Sequence, residues 1–556
     1  MKKCIAILAA VVTMFSVAGC GGFRRGTGTE QLDPNRDWIY VGNYNGGLGS
    51  AWLQAVIDEF MAENPTWGVW IDNDKDLYND GTLYTNIATN RQALYFVNGI
   101  TYQNYVAGGK LAEITDIVTE NLPGEEESIE DKMNETLRDY YKTGGGQYYA
   151  VPFFDAPFGT VYDVDLFEEE YLYFDEAGRM ICDVDAYFDA SGNLTQPLDE
   201  LKSAGPDGDR TTTFDNGLPA TYDQWTKLLQ TMQSFGITPY IWTGEYVYYR
   251  YRYLASIWAD YEGKDAFDLN SSFDGYYTFP GDSEPTKIEL SNGYRLQEQP
   301  GKKYALDMGH YIIENGYYAG TSFDGTNTHT MAQNRFLLSA ETGSRIGMIL
   351  EGAWWENEAK DYFATMAQQY DEKYAFGTRR FGYMPVPKSD AAKVGVEPMT
   401  MISSTGNSVV CMNANVSAKD KEIATAFLKF VHSDEALRTF TRYTGAIRPY
   451  EYELTDTDRA EMSYFALQMW DLYHAEDAQI CYVTLNNPIF SQASTYLSAD
   501  GSRFWWQSRV GNQTYVDALY EFSENSNLTA EQYWEGQKAY YSESSWKTNL
   551  SQWLQG

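Results

Sequence analysis

Short apolar segments alternate with an amphipathic helical segment near the start of the chain, and this alternation constrains the fold most strongly. Apolar runs at 38–41, 69–71 and 93–97 predict β-strands. Between the first two runs, apolar residues of 53–61 recur three and four positions apart, which is the helical period. Because strands that alternate with helices usually pair in parallel, the order predicts an α/β fold with a parallel sheet.

Helices are also predicted in the middle and late parts of the chain. Apolar residues of 222–235 lie on one helical face. In contrast, 168–218 is rich in Asp, Gly and Tyr and has little helical period, so we predict an insertion there. Ser417 and Ser433 are suitable N-caps for two later helices, and Gly445 is suited to end the second of them.

The first twenty residues have the layout of an export signal. Lys2 and Lys3 precede an apolar run over 4–17, which is shorter than the roughly 20 residues that span a bilayer. The run ends in Val-Ala-Gly-Cys, which resembles the bacterial lipobox. Residues 1–19 are therefore predicted to be a lipoprotein signal peptide, with lipid attached to Cys20. An ordinary signal peptide with a nearby cysteine is the alternative.

The segment after the signal is predicted to be a flexible tether. Residues 20–37 are rich in Gly, Thr and charge and have no apolar period. No later run is long and apolar enough to predict a transmembrane helix. We therefore expect an exported protein that is held by lipid alone at the outer face of the cytoplasmic membrane. The sequence leaves open whether that face is extracellular or periplasmic.

The chain is strongly acidic, with 78 Asp and Glu against 41 Lys and Arg and a net charge of −37. A nucleic-acid-binding protein needs basic residues to replace phosphate counterions, so the charge argues against nucleic acid as a partner. Self-repulsion at this charge favours a soluble monomer. Aromatic residues reach 16%, which supplies ring faces either for a ligand or for a core.

The histidines and cysteines form no recognisable metal or disulfide pattern. None of the four His lies three or four residues from another, so no metal-binding pair is visible. Beyond the signal segment, the cysteines are Cys182, Cys411 and Cys481. One disulfide among them is an alternative, but we predict three reduced and buried thiols.

Six segments of the chain carry a resemblance to a known family. They are 40–52, 109–116, 149–167, 236–246, 347–355 and 424–448. They include the loop Gly-Asn-Tyr-Asn-Gly-Gly-Leu-Gly after the first strand, the motif Ala-Val-Pro-Phe and the motif Glu-Gly-Ala-Trp-Trp. In this order and spacing, they resemble the extracellular solute-binding lipoproteins of ABC importers, in the carbohydrate-binding family that includes maltose-binding protein.

The resemblance implies a two-lobe, periplasmic-binding-protein-like α/β fold of type II, with a hinge and a central ligand cleft. By analogy, 38–152 and 405–450 form the first lobe. The second lobe would hold 153–404 and 451–556, with the insertion at 168–218. Ligand binding would close the two lobes by hinge motion.

Polar and aromatic residues near the glycine loop are candidate ligand contacts. A sugar presents flat C–H faces and hydroxyls, so its site needs aromatic rings and polar groups. Asn43, Tyr44 and Asn45 follow a strand, at the edge where ligands bind in open α/β sheets. A tight turn is the alternative role for these three. Trp52 is either a ligand platform or a core anchor, and Asn98 ends another strand.

Further candidates lie near the implied hinge and in the second lobe. Asp155 is a lone carboxylate among apolar residues, so its burial requires a partner. That partner would be a ligand hydroxyl or an arginine. The resemblance places Trp242, Glu245 and Tyr246 near the sugar.

Trp354 is the strongest single candidate, because the resemblance matches it with the family's stacking tryptophan. A tryptophan ring stacks well on the C–H face of a sugar. Its neighbours Trp355 and Glu356 are also candidates, although Trp355 is better suited to packing.

The acidic loop over 189–200 is a candidate calcium site. Oxygen ligands at calcium-loop spacing are supplied by Asp189, Ser191, Asn193, Thr195 and Glu200. Leu194 stands where such loops carry glycine, and acidic turns are common in so acidic a chain. A solvated loop without metal is therefore the alternative.

The features together favour a binding protein that captures an oligosaccharide or related sugar and delivers it to the transmembrane subunits of an ABC permease. This role requires no cofactor, and no nucleophile–base arrangement indicates an enzyme. A secreted glycoside hydrolase, with two carboxylates beside the scissile bond, is the alternative from another class. A surface adhesin or sensor lipoprotein that binds ligand without transport is the third hypothesis.

Overall fold

The computed structural model describes residues 32–44, 46–73, 78, 80–212, 214–403, 408–483 and 487–554. The strands are β1 Asp37–Asn43, β2 Trp67–Asp72, β3 Leu94–Asn98, β4 Ala150–Pro152, β5 Phe158–Asp163, β6 Thr238–Ile241, β7 Gly275–Tyr277, β8 Thr286–Ile288, β9 Ile346–Gly352, β10 Phe381–Met384, β11 Met399–Ser403, β12 Ser408–Met412, β13 Ala478–Tyr482, β14 Ser508–Val510 and β15 Gln513–Tyr515.

The helices before residue 340 are α1 Ala51–Glu63, α2 Asp80–Asn86, α3 Tyr102–Ala107, α4 Thr115–Thr119, α5 Ile129–Lys132, α6 Glu135–Tyr141, α7 Val164–Glu169, α8 Leu198–Leu201, α9 Tyr222–Ser234, α10 Val247–Glu262, α11 Lys264–Ser272, α12 Pro300–Glu314 and α13 His329–Leu338. The later helices are α14 Trp355–Glu358, α15 Lys360–Gln369, α16 Ala418–Phe430, α17 Asp434–Thr444, α18 Asp456–Glu461, α19 Tyr464–Tyr473, α20 Ile489–Gln492, α21 Ser494–Leu497, α22 Ser502–Trp506, α23 Ala518–Glu524, α24 Ala530–Tyr540 and α25 Glu543–Asn549. Short 3-10 helices lie at Ile181–Asp183, Asp185–Tyr187, Leu290–Glu298, Glu372–Tyr374 and Ala391–Lys393.

A first sheet has the strand order β2-β1-β3-β12-β4. β1 pairs in parallel with β2 and β3, and α1 connects β1 to β2, so the predicted strands and helix near the start of the chain are confirmed. However, β12 runs antiparallel to β3 and β4. The predicted parallel pairing is therefore confirmed for β1, β2 and β3, whereas β12 is antiparallel because the chain passes through a second sheet and returns along β12 in the opposite direction.

The second sheet has the order β13-β11-β5-β9-β6, and β10 also pairs with β5. Its strands are again mixed: β5 is antiparallel to β9 and β10, whereas β6 and β9 are parallel. Helix α10 packs beside this sheet and against the C-terminal segment, where the rings of Trp258 and Trp506 lie 5.8 Å apart. The last helices therefore extend the core of the second sheet.

The chain crosses between the two sheets beside residue 155. β4 of the first sheet leads through 153–157 into β5 of the second, and β11 of the second sheet is followed in the chain by β12 of the first. Asp155 forms an isolated antiparallel bridge with Ile447. The buried Arg448 donates a hydrogen bond to the Phe153 carbonyl at 2.8 Å. The segment implied as a hinge is thus tied to 447–448, while the exact lobe bounds stay a prediction.

The predicted helix boundaries late in the chain are confirmed. Ser417 Oγ accepts a hydrogen bond from the backbone of Asp420 at 3.1 Å, and Ser433 caps α17 in the same way. Gly445 ends α17 with φ 70°, a left-handed conformation that disfavours residues with a Cβ. The helix predicted over 222–235 is α9, whose Thr221 forms a capping box.

In the part of the chain that the structure describes, no helix combines the length and apolarity needed to cross a bilayer. The signal peptide 1–19, Cys20 and the start of the tether 20–37 lie outside the described residues. Export, lipid attachment and the tether therefore stay predictions.

The three predicted thiols are free cysteines. Cys411 and Cys481 are buried, whereas Cys182 is partly exposed, so burial is confirmed for two of the three. Burial raises the pKa of Cys182 and of Cys411 to about 12, which keeps both thiols protonated and unreactive at neutral pH.

Candidate ligand-binding cleft

A cleft of about 470 Å³ opens between the two sheets, beside the crossing segment 153–157. This volume lies in the range of small-molecule sites. We call residues 44, 46–48, 98, 99 and 408 the first wall, and residues 246, 248, 249, 252, 329, 354, 358 and 500 the second wall. The lining residues are Tyr44, Gly46, Gly47, Leu48, Asn98, Gly99, Phe153, Phe154, Ala156, Tyr246, Tyr248, Tyr249, Arg252, His329, Trp354, Glu358, Ser403, Ser408 and Asp500.

The first wall presents short polar groups at strand ends. Asn98 ends β3 and Ser408 begins the antiparallel neighbour β12, so the two side chains meet across the ladder. Ser408 Oγ donates to Asn98 Oδ1 at 2.7 Å, which orients the amide. With its oxygen occupied, the Asn98 NH₂ group is the part that can donate to a ligand.

The second wall presents aromatic rings from the start of α10. Tyr246, Tyr248 and Tyr249 form a continuous group, with ring centroids 5.7 Å apart for the first pair and 4.9 Å for the second. Tyr248 is 41% exposed, so much of its ring is accessible to a ligand. The His329 ring lies 5.2 Å from that of Tyr246 and extends this surface.

Trp354 lies where the two walls meet. A Cβ on Gly352 would come within 2.3 Å of the indole, and a Cβ on Gly47 would lie 2.9 Å from Trp354 Cδ1. The ring therefore needs glycine on both sides. Asn357 Nδ2 donates to the Gly47 carbonyl at 2.5 Å, which adds a polar link between the walls.

A buried acidic network supports the second wall. Gln333 Nε2 donates to Glu351 Oε1 at 3.0 Å and to Glu358 Oε2 at 2.8 Å. His329 Nε2 lies 3.2 Å from Glu358 Oε1. Burial, together with the nearby Glu358, holds the pKa of Glu351 well above its ordinary value. Burial and the same glutamate also raise the pKa of Tyr44 in the first wall.

Of the candidates in the first sheet, Tyr44 and Asn98 line the cleft, and their contact with a ligand stays a prediction. Asn43 is fully buried, and its Nδ2 donates to Asn73 Oδ1 at 2.9 Å and more weakly to the Gly49 carbonyl. It therefore holds the glycine loop rather than facing the cleft. Asn45 lies outside the described residues.

Trp52 is a core anchor rather than a ligand platform. It has no exposed surface and packs against the rings of Phe96, Phe153 and Phe440, the last with centroids 4.9 Å apart. Trp52 lies on the buried face of α1, which packs on the sheet, so its indole stabilises the core below the first wall.

Asp155 is also removed from the cleft by burial. Its carboxylate accepts a hydrogen bond from the Tyr473 hydroxyl at 2.8 Å, and that hydroxyl also lies 2.7 Å from the Tyr482 hydroxyl. The partner that the structure gives for this carboxylate is a tyrosine of the protein, where a ligand hydroxyl or an arginine is expected from the sequence. Asp155 therefore secures the crossing segment.

The segment 242–246 divides between core and cleft. Trp242 is fully buried and packs against Tyr318 and Phe323, both with ring centroids 5.5 Å away, so it is unavailable to a ligand. Glu245 is exposed and does not line the cleft. Tyr246 does line it, and its ligand contact stays a prediction.

The two residues after Trp354 are buried away from the cleft. Trp355 lies among aromatic rings, with Phe381 4.8 Å away, as its packing role predicts. Glu356 is 4% exposed and accepts a hydrogen bond from Ser463 Oγ, so it is not a ligand contact. Burial raises the pKa of Glu356 to about 7, which the Ser463 hydrogen bond only partly offsets.

The candidate calcium residues form a self-contained turn. Asp189 Oδ1 accepts hydrogen bonds from the backbone of Ser191 at 2.8 Å and Asn193 at 3.0 Å. Thr195 Oγ1 donates to the Tyr187 carbonyl, and Glu200 lies apart in α8. Across the described ranges, no group of three or more His, Cys, Asp or Glu is arranged to hold a metal. A calcium role stays a prediction.

Several cleft residues on α10, α13 and α14 are not predicted from the sequence. They are Tyr248, Tyr249, Arg252, His329 and Glu358. A signal was present for the first three, since the run Tyr-Val-Tyr-Tyr-Arg-Tyr-Arg-Tyr mixes rings and charge at the start of a helix. Nothing local marks His329 or Glu358, because only the packing of α13 against α14 and α15 brings them together.

The fold is that of solute-binding proteins with known structures, as the resemblance implies. A chitin oligosaccharide binding protein is 16% identical, with a TM-score of 0.54 over 92% of this chain and 99% of its own. RafE of Streptococcus pneumoniae, solved with raffinose, is 14% identical, with a TM-score of 0.51 over 92% and 100%. MalE3 of T. maritima, solved with maltose, is 15% identical, with a TM-score of 0.50 over 91% and 98%. No family model and no curated protein sequence matches the chain.

Proposed function

We propose that this protein is a substrate-binding lipoprotein of an ABC importer, which captures an oligosaccharide or related sugar in the cleft and delivers it to the membrane permease. The cleft itself carries the proposal: aromatic rings headed by Trp354 stand opposite the polar groups of Asn98 and Ser408. Rings suit the C–H faces of a sugar, and placed polar groups suit its hydroxyls. The names or bound ligands of the similar structures, chitin oligosaccharide, raffinose and maltose, support a sugar as ligand.

Export and a lipid anchor at Cys20 complete the proposed role, because an importer needs its binding protein held near the permease. The protein would act as a monomer at the outer face of the cytoplasmic membrane, without nucleic acid and without a required cofactor. Cys20→Ala should move the protein from the membrane fraction to the soluble exported fraction. Retention of the Cys20→Ala variant in the membrane fraction would contradict the lipid anchor.

The cleft carboxylates favour binding over hydrolysis. Both oxygens of Glu358 are engaged by His329 and Gln333. Asp500 Oδ1 accepts hydrogen bonds from the Ser498 hydroxyl and from the backbone and hydroxyl of Ser502. A glycosidase needs one carboxyl group that donates a proton and another that attacks or activates water. Carboxylates held by local donors are poorly placed for either task.

A thermal-shift screen against neutral and acidic oligosaccharides, with chromatography of the sugars afterwards, tests the proposal. A ligand that binds only the folded state stabilises it by about 2.7 kcal/mol at a hundredfold excess over Kd. We expect a shift with one class of sugar, loss of the shift in Trp354→Ala, and no new products. Trp553→Ala, in the C-terminal segment, is the matched control and should keep the shift. New sugar products would identify an enzyme, and no shift with any glycan would overturn sugar binding.

A further inference from the structure

Arg252 is a positive charge in the cleft that has no carboxylate partner among the described residues. It lies on α10, is half-buried, and its guanidinium lies 5.2 Å from the ring centroid of Tyr248. Within the described ranges, this guanidinium makes no hydrogen bond and no ion pair. The chain has 78 acidic residues against 41 basic ones, so a carboxylate partner would be easy to supply. The absence of one at this position therefore needs a reason.

The neighbouring arginine on the same helix shows the usual arrangement. Arg250 donates to Asp517 Oδ2 from Nε at 2.9 Å and from Nη2 at 2.7 Å, and to the Thr243 carbonyl from Nη1 at 3.0 Å. Arg379 is likewise paired, with Asp163 at 2.8 Å. These two buried guanidinium groups thus have carboxylate partners, whereas that of Arg252 has none among the described residues.

The acids of the cleft do not serve as a partner for Arg252. Glu358 is held by His329 and Gln333, and Asp500 Oδ1 accepts hydrogen bonds from Ser498 and Ser502. Neither forms an ion pair with Arg252, although Asp500 is near enough to influence its charge. The cation is therefore left to interact with whatever enters the cleft.

Leaving this charge unpaired is costly in the free protein. Burial lowers the pKa of Arg252, yet a guanidinium keeps its proton at any physiological pH. A carboxylate or sulfate matches the planar fork of its N–H groups and forms two parallel hydrogen bonds. A neutral hydroxyl provides neither the charge nor the second acceptor.

We propose that Arg252 binds a negatively charged group on the sugar, so that the ligands of this cleft are acidic oligosaccharides bearing a uronate carboxylate or a sulfate ester. The inference rests on the proposed function and names the class of its ligand. Tyr248, beside the guanidinium, would carry the ring face of the same sugar unit.

The test compares matched pairs of oligosaccharides by isothermal titration calorimetry on the mature chain. The probes are galactose- and glucose-based trimers, their uronate counterparts, and sulfated forms of the neutral trimers. We expect the acidic member of a pair to bind at least about tenfold more tightly, which corresponds to about 1.4 kcal/mol. The preference should shrink as salt rises, because added ions screen the charge pair. Comparing uronate with sulfate then identifies which anion the cleft takes.

Arg252→Gln should abolish the preference and leave the affinity for the neutral trimers within about threefold. Arg252→Lys should keep part of it, since a point charge remains without the planar fork. Arg509→Gln removes the same charge from an exposed site next to Tyr540 and should retain the full preference.

The outcomes separate this inference from the proposed function. A wild-type protein that binds neutral trimers as tightly as acidic ones would overturn the role of Arg252 and leave sugar binding intact. If a folded Arg252→Gln variant loses equal affinity for neutral and acidic trimers, the role of Arg252 in binding the anion is likewise overturned. No binding of any oligosaccharide would overturn the proposed function itself. If Arg252→Gln does not fold, Arg252→Lys and the salt dependence of the wild type still decide the matter.

Discussion

The two walls of the cleft present different kinds of chemical group. The first wall offers backbone groups, glycines and the short side chains of Asn98 and Ser408, all at the ends of strands. The second wall offers tyrosines, Trp354 and Arg252, which project from helices and from the turn after β9. A strand end is fixed by its ladder, whereas a long side chain is fixed only by what packs beneath it.

Because of this difference, we expect the first wall to position a ligand and the second wall to select among ligands. The first wall rests on an apolar base around Trp52, which makes its shape insensitive to ionisation. The second wall rests on the buried acids Glu351 and Glu356, so its shape depends on their protonation and hydrogen bonds. Changes in the second wall should therefore have larger and more condition-dependent effects.

The largest effect is expected from two adjacent tryptophans, Trp354 in the second wall and Trp355 in the core. Trp355→Ala should lower the free energy of unfolding by about 3–5 kcal/mol, because it empties a fully buried site among aromatic rings. Trp354→Ala should weaken sugar binding by about 2 kcal/mol or more, roughly thirtyfold, with a smaller loss of stability. Urea unfolding and calorimetric titration measure the two quantities.

Each tryptophan variant is the control for the other. Trp355→Ala that remains folded should still bind sugar, since Trp355 does not reach the cleft. Unchanged affinity in Trp354→Ala would show that the indole closes the cleft without contacting the ligand.

The next effect concerns pH and belongs to the second wall. The folded-state pKa of Glu356 is raised from 4.5 to about 7, so the folded protein holds a proton that the unfolded chain has released. Stability from this group is fully present below pH 4.5 and is lost as pH rises to about 7, by up to about 3 kcal/mol. Glu356→Gln should remove this part of the decline in the free energy of unfolding between pH 5 and 8, as measured by urea unfolding.

Glu126→Gln, at an exposed position of the first sheet's domain, should leave the pH profile unchanged. If the free energy of unfolding of Glu356→Gln declines with pH as steeply as that of the wild type, then Glu356 is already ionised and hydrated in the folded protein.

A smaller effect is expected where the walls touch. Gly47→Ala would place a Cβ 2.9 Å from Trp354 Cδ1, so the walls or the indole must shift. We expect affinity for sugar to fall by about 1 kcal/mol, or roughly fivefold, with stability nearly unchanged. Gly81→Ala is the control, because its Cβ would meet no described atom within 4 Å. Equal affinities for the two variants would mean that the walls adjust freely.

The smallest effect is expected in the first wall. Asn98→Ala removes one amide donor and the acceptor of the Ser408 hydroxyl. The expected loss of affinity is about 0.5–1.5 kcal/mol, the value of a single hydrogen bond. Asn415→Ala, exposed beyond the other end of β12, should bind as the wild type does. A loss as large as that of Trp354→Ala would reverse the ranking of the two walls.

Much of the fold near the start of the chain could be predicted from periodicity. The alternation over 38–97 identified β1, α1, β2 and β3, and serine caps identified the starts of α16 and α17. The antiparallel entry of β12 could not be predicted this way, since a buried strand has the same pattern in either direction.

Less of the candidate site could be predicted, because an aromatic residue suits a core and a ligand equally well. Trp52, Trp242 and Trp355 are fully buried, whereas Trp354 lines the cleft, and no local pattern separates them. Asn43 and Asp155 are polar residues whose side-chain partners come from distant segments, so only the folded chain shows those partners. Arg252 is distinguished only by the lack of a hydrogen bond or ion pair to the described residues, which the sequence does not show.

The contact of Trp354 with Gly47 also bears on how long a ligand stays bound. A sugar covered by this contact leaves only after the walls separate, so opening sets the upper limit of its dissociation rate. The ring contact and the hydrogen bond from Asn357 together contribute only about 1–2 kcal/mol to holding the walls together. If they limit opening, differences in affinity between sugars should arise mainly from how long each sugar delays it. The residence time of the cargo, rather than the speed of its capture, would then decide which sugar reaches the membrane.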